Sequence, residues 1–147
     1  MNTRTITRIV RYLLGGSFTL FGLNGFLHFL PQPPAPAAAM SFGAALIATG
    51  YMFPLIKGTE VIAGLLLLGN RYVTLALALL APVLVNILAF HAFLAPAGLA
   101  LPIVLLAAEL YLAWSYREAY APMLRARIEP GHAPEARATS RTASAEA

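Results

Sequence analysis

Four long apolar stretches, bounded by arginines or prolines, most constrain this chain: in oil, only a helix satisfies its own backbone hydrogen bonds. The first runs from about Ile9 to Leu30, with Arg4, Arg8 and Arg11 at its start and PQPPAPA after it. Its roughly 22 residues make about 33 Å of helix, enough to cross the hydrocarbon of a bilayer. The prolines that follow lack amide hydrogens and restrict their neighbours, so the helix cannot continue regularly. The second stretch, Phe42 to Gly69, contains Gly50 and Pro54. It reads either as a short surface helix from Phe42 to Thr49 followed by a spanning helix from about Tyr51, or as one kinked and tilted helix. The third runs from about Tyr72 to Leu94 and carries Pro82; the fourth runs from about Leu99 to Tyr116. Trp114, Tyr116 and Tyr120 suit an interfacial belt.

The expected fold is therefore all-α, a polytopic membrane four-helix bundle over residues 1–122. A polar, alanine-rich cytoplasmic tail, 123–147, is expected to be disordered. Composition agrees, since 59% of the residues are hydrophobic and 11% charged, too few polar groups to wet the outside of a soluble fold. The formal charge of +4 does not point to nucleic acid, because the basic residues form no stripe with interleaved stacking aromatics and mostly flank apolar segments. With no cysteine, structural disulfides, thiol relays and cysteine-ligated metals or iron–sulfur centres are excluded. No metal site is expected.

If the four segments alternate across the membrane, every arginine falls on one side, and the intervening loops, residues 31–50 and 95–98, hold no charge. The positive-inside rule then places both termini in the cytoplasm, in an inner-membrane protein. A cleaved secretory signal ending near the small residues Ala35–Ala39 is the rival reading. Against it, the apolar region exceeds the usual length of about 7–15 residues and contains Asn24 and His28, which a discarded peptide has no reason to keep.

Counting helical rise gives the polar residues a depth. Asn24 and His28 lie about 20 and 26 Å beyond Arg11, and Glu60, Lys57 and Asn86 about 17, 21 and 23 Å beyond Arg71. Glu109 lies about 15 Å below Leu99, and His91, about 30 Å from Arg71, falls at the outer boundary. On the second segment Phe53, Lys57, Glu60 and Gly64 share one stripe, so lysine and glutamate can pair while glycine admits another helix. An unpaired charge at mid-membrane costs roughly 2.5–3.5 kcal/mol, so these groups should face inward. Full ionisation of Glu60 and Glu109 beside one ammonium would leave an excess negative charge, which a proton on a carboxyl or on a ligand would balance. Lys57, Glu60, Glu109, His28, Asn24 and Asn86 are the candidates for ligand binding or proton handling, while no catalytic residue can be assigned. The architectural alternative is that the ion pair only fixes helix packing and that Asn24 and Asn86 bridge helices through their amides. A haem held between His28 and His91 is disfavoured, since nothing in the sequence turns those rings toward each other.

RYLLGGSFTLFGLNGFLHF in the first segment, YMFPLIKGTEVIAGLLLLGNRY in the second, LAPVLVNILAFHAF in the third and LPIVLLAAELYLAWSYR in the fourth resemble the DoxX and DoxX-like family of small four-helix membrane proteins. The resemblance covers about residues 8–122, and the second string is its most specific part. It implies that Lys57, Gly58, Glu60 and Gly64 are the family's recurring second-segment residues, with Asn24, His28 and His91 as looser matches. The family is functionally mixed, and some members are similar to subunits of thiosulfate:quinone oxidoreductases or belong to membrane-associated oxidoreductase systems. The expected function is binding of a small apolar ligand, a quinone or lipid, oriented by Lys57, Glu60 and Glu109, as a component of an oxidoreductase system. A quinone carbonyl would accept a hydrogen bond from Lys57 while a carboxyl exchanged the accompanying proton. Expected partners are membrane lipids and a protein partner or second copy. The alternatives are a non-catalytic assembly subunit and, third, a small transporter, for which no internal repeat is evident.

Overall fold

The computed structural model describes residues 2–31 and 34–127. Among them the chain is all-α: α1 (Thr3–Leu27), α2 (Ala37–Ala48), α3 (Met52–Leu68), α4 (Val73–Phe93), a 3-10 turn at Pro96–Gly98, α5 (Ala100–Ser115) and α6 (Arg117–Tyr120). The four long helices form a ring in which α1 packs on α3, α3 on α4, α4 on α5, and α5 on α1. Thus α3 and α5 face each other across the diagonal.

Local chemistry sets the boundaries. α1 starts six residues before the apolar stretch because the Asn2 side chain accepts from the Arg4 amide, an N-cap. It stops at Leu27 because His28 is left-handed, with φ 51°, and the Asn24 side-chain oxygen takes the Leu30 amide at 2.7 Å. The break in the second apolar stretch is real: α2 and α3 are separate helices bent by 93°. Gly50, at φ 76°, makes that corner, and Thr49 Oγ1 accepts from the Met52 amide at 3.0 Å. Pro54 falls in the first turn of α3, where its missing amide hydrogen has no intrahelical partner to lose. After α3, Asn70 is left-handed (φ 52°) and the Arg71 amide reaches back to the Leu66 carbonyl at 3.0 Å, which ends the helix and redirects the chain into α4.

The ring closes over Leu14 and Phe18 of α1, Ala63 and Leu67 of α3, Leu77, Leu80 and Leu84 of α4, and Leu105 and Leu112 of α5. Its tightest seam joins α1 to α3. A Cβ added at Gly15 would stand 2.9 Å from the Gly64 carbonyl oxygen, and one at Gly22 would stand 2.7 Å from a Val61 methyl. Glycine at these positions lets the two backbones approach. The outward faces are apolar as well: Leu13, Leu55, Ile62, Leu65, Val85, Val104 and Leu110 are all exposed. By length and composition α4 alone could cross a membrane, and α2 with α3 would qualify together only as a bent pair. Residues 121–127 follow α6 as turns and irregular chain. The remainder of the expected tail, 128–147, lies outside the described residues.

Candidate functional site

A cavity of about 780 Å³ opens between α1, α2, α3, α4 and the start of α5. Its walls are mostly apolar, from Phe18 and Phe21 of α1, Phe53 and Ile56 of α3, Val83, Ile87 and Phe90 of α4, and Leu101 and Leu105 of α5. α2 contributes Ala39, Phe42, Gly43 and Leu46, an i, i+3, i+4, i+7 stripe that turns one helical face to the cavity. Phe42 reaches across to Phe90, with ring centroids 5.7 Å apart.

Into this apolar space project the polar groups Asn24, His28, Lys57, Glu60, Asn86 and His91. Lys57 and Glu60 form the expected pair: Lys57 Nζ donates to both carboxylate oxygens of Glu60, at 3.0 and 2.9 Å. The pair is unequally shielded, with side-chain exposure of 22% for Lys57 and 2% for Glu60. Gly25 helps to hold it, because a Cβ there would come within 2.6 Å of the Lys57 side-chain methylenes. The same spacing that sets Lys57 over Glu60 places Gly64 against Thr19 and Gly15 of α1, so the stripe on α3 serves the cavity at one end and helix packing at the other.

The remaining candidates differ in what they do. Asn24 is buried, but its side chain caps the end of its own helix through the Leu30 amide rather than bridging to another. His28 is not on the helix one turn beyond Asn24; it is the left-handed cap residue, exposed at the cavity margin. Asn86 is exposed within the cavity wall. His91 donates from Nδ1 to the Ile87 carbonyl at 2.9 Å, meets Phe90 edge-on, and lies against Gly98, where a Cβ would approach it within 2.7 Å. Its ring is thereby anchored to its own helix and to the 3-10 turn. No group of three or more His, Asp or Glu side chains is placed to hold a metal ion among the described residues.

Glu109 does not join this set. It lies on α5, diagonal to α3, and is not among the residues that line the cavity. The carboxyl is buried, and Oε1 has no hydrogen-bond partner among the described residues. Beyond it, α5 runs on to the arginine-rich end of the bundle. There Tyr120 donates to the Thr74 carbonyl at 3.0 Å, and burial, with the Glu109 carboxylate acting in the same direction, raises the Tyr120 phenol above its usual range. A buried carboxyl oxygen without a donor destabilises the fold by about 1–3 kcal/mol. Replacement by the similarly sized leucine should therefore raise the melting temperature of the purified protein, whereas E109Q, which keeps the shape, should change it little. A large loss of stability in E109L would mean that the carboxyl is satisfied by a lipid or water and is structural.

One polar residue had a role that charge counting missed. Arg11 reads as an end-of-segment charge, yet it is 4% exposed, and its guanidinium donates to the carbonyls of Leu67 and Leu68 at the C-terminal turn of α3. The Leu67 carbonyl also takes the Asn70 amide at 3.2 Å, and both carbonyls sit at the negative end of the helix dipole, so a cation there is favourable. The available signal was its phase, since Arg11 falls on the same face of α1 as Leu14, Gly15 and Phe18.

Comparison with protein-family models, with curated proteins and with solved structures returns no match.

Proposed function

We propose that the chain is a DoxX-like polytopic membrane protein that holds a small apolar ligand, a quinone or lipid, in the cavity between α1, α2, α3 and α4. The observation that carries this reading is the cavity's make-up: aromatic and aliphatic walls, with one largely buried ion pair and a few amide and imidazole groups among them. That is the composition by which pockets bind a largely apolar molecule and orient it by one polar end. Lys57 is the more accessible partner of the pair, so its ammonium is the donor offered to a quinone carbonyl or lipid ester, with Glu60 holding it in place. Any redox chemistry would draw its electrons from a partner, making the protein a component of a membrane oxidoreductase system. Glu109 stands away from the ligand in this arrangement.

Membrane placement is part of the proposal. Its support is the belt of exposed leucine, isoleucine and valine on the outward faces of α1, α3, α4 and α5, which in water would be an aggregation hazard. Arg4, Arg8, Arg11, Asn70 and Arg117 line one cleft at one end of the ring, the end assigned to the cytoplasm. Single cysteines at Ser41, Ala97 and Ser140 should label from outside, outside and inside, respectively, in intact cells; Ala97 is used because a Cβ at the neighbouring Gly98 would crowd His91. Outside labelling at Ser140 would overturn the topology.

Purification of the full chain from membranes, followed by solvent extraction and mass spectrometry, should recover a quinone or a lipid at near-stoichiometric amount. The K57M/E60L double variant keeps the wall but loses the polar handle, and should bind an added quinone about tenfold or more weakly, the worth of one charge-assisted hydrogen bond. Protein that carries no such molecule and binds none when added, while holding a stoichiometric protein partner, would replace this reading with that of an assembly subunit.

A further inference from the structure

The opposite end of the bundle carries a second concavity that the apolar-ligand reading leaves unused. It is a cleft of about 560 Å³ between the first turns of α1 and the end of α5. Arg4, Arg8 and Arg11, at i, i+4 and i+7, present one face of α1 to it, and Arg117 closes it from α6. Arginines that served only as topology signals would need to be near a helix end, not aligned on one stripe facing a groove. No carboxylate lines the cleft among the described residues, where the one salt bridge is the distant Lys57–Glu60 pair. Arg11 is already engaged with the carbonyls that end α3, so Arg4 and Arg8 are the cations left to a ligand on that wall.

The rest of the lining fits an anion attached to an apolar body. Thr7 Oγ1 donates to the Thr3 carbonyl at 3.0 Å and accepts from the Tyr111 hydroxyl at 3.1 Å across the α1–α5 junction, so the cleft's base is polar while its free donors are the guanidiniums. Trp114 is 70% exposed, carries the Arg117 guanidinium 5.1 Å over its ring, and has that arginine donating to its carbonyl at 3.2 Å. One turn toward the bundle's middle, on the same side of α5, Leu110 is 61% exposed. Cation, indole and bare leucine thus succeed one another along α5 in the order of headgroup, interface and acyl chain.

We propose that this cleft binds the phosphate of an anionic phospholipid, with the guanidiniums of Arg4, Arg8 and Arg117 around the phosphate oxygens and the acyl chains running down past Leu110. The inference rests on the membrane placement proposed above, and is independent of what fills the apolar cavity.

Trp114 is the chain's only tryptophan, so its emission reports this cleft alone. The full chain in neutral detergent should show a saturable change in emission with short-chain phosphatidylglycerol, weakened by added salt, and a much smaller response to phosphatidylcholine of the same chain length. R4Q/R8Q alters two exposed side chains and should fold normally, as read by helical content and melting, yet bind phosphatidylglycerol about tenfold or more weakly. Inorganic phosphate should compete only at far higher concentration than the lipid. Equal response to the two lipids, or an unchanged affinity in R4Q/R8Q, would overturn the site; inorganic phosphate binding as tightly as phosphatidylglycerol would overturn the lipid as its source. Because binding is read in detergent, it stands or falls apart from the cysteine-labelling result and from quinone recovery.

Discussion

Replacing Lys57 by methionine should destabilise the protein more than replacing Lys57 and Glu60 together. In K57M the Glu60 carboxylate stays where it is, 2% exposed, with both oxygens stripped of the ammonium that they now share. Removing one member of a buried pair costs about 3–5 kcal/mol, because the remaining charge has neither water nor counter-ion. E60L strands an ammonium that is 22% exposed and flexible enough to reach for water, so its loss should be smaller than that of K57M. K57M/E60L removes both desolvation penalties and forfeits only the mutual attraction, and should fall within about 1–2 kcal/mol of the parent. Melting temperature and yield from detergent-solubilised membranes would measure the cycle. Additive losses, or a double variant much worse than either single, would show that the two groups do not act as a unit.

A methyl group at Gly64 should be the most damaging small change in the chain, and the same change at Gly58 should be harmless. A Cβ at Gly64 would sit 2.7 Å from the Thr19 amide nitrogen and 2.8 Å from the Gly15 carbonyl oxygen, backbone atoms of α1 that cannot swing aside. G64A would force α1 and α3 apart along the seam that also seats Gly25 over Lys57. Overpacking of this kind costs about 1–3 kcal/mol or more, which outweighs the gain of about 1 kcal/mol from alanine's better helix propensity. At Gly58 nothing lies within 4 Å of the added atom, so only the propensity gain remains and G58A should stabilise by about 0.5–1 kcal/mol. The pair of variants separates two glycines that are both part of the resemblance on which the family assignment is proposed. A loss in G58A equal to that in G64A would place an unseen ligand or partner against Gly58.

How much of this was legible beforehand varied with the physics involved. The third apolar stretch, expected from about Tyr72 to Leu94, is α4 (Val73–Phe93), since hydrophobic length and flanking turn residues decide such a helix locally. The Lys57–Glu60 pair and the close approach at Gly64 were legible because one helical stripe fixes both. The corner at Gly50 was left between two readings, and the 93° bend decides for separate helices, with Thr49 capping the second. The relative height of two helices was not legible to within a turn. Counting rise sets Glu109 level with the pair on α3, whereas Glu109, on the same inward face of α5 as the cavity-lining Pro102 and Leu105, lies one turn past the last α5 residue that lines the cavity. His28 was mistaken for a helical residue because a left-handed cap at a non-glycine has almost no sequence signature beyond the prolines that follow it.

Arg11 makes insertion and packing inseparable at one position. In the membrane placement proposed above, its charge would help to retain the start of α1 on one side of the bilayer, while its guanidinium ties α1 to the last turn of α3 only after α3 has arrived. An R11Q variant that inserted backwards and one that inserted correctly but failed to close its ring would look alike in a yield assay. Arg8, exposed one turn earlier, carries the charge without the tether, so R8Q beside R11Q distinguishes an orientation defect from an assembly defect.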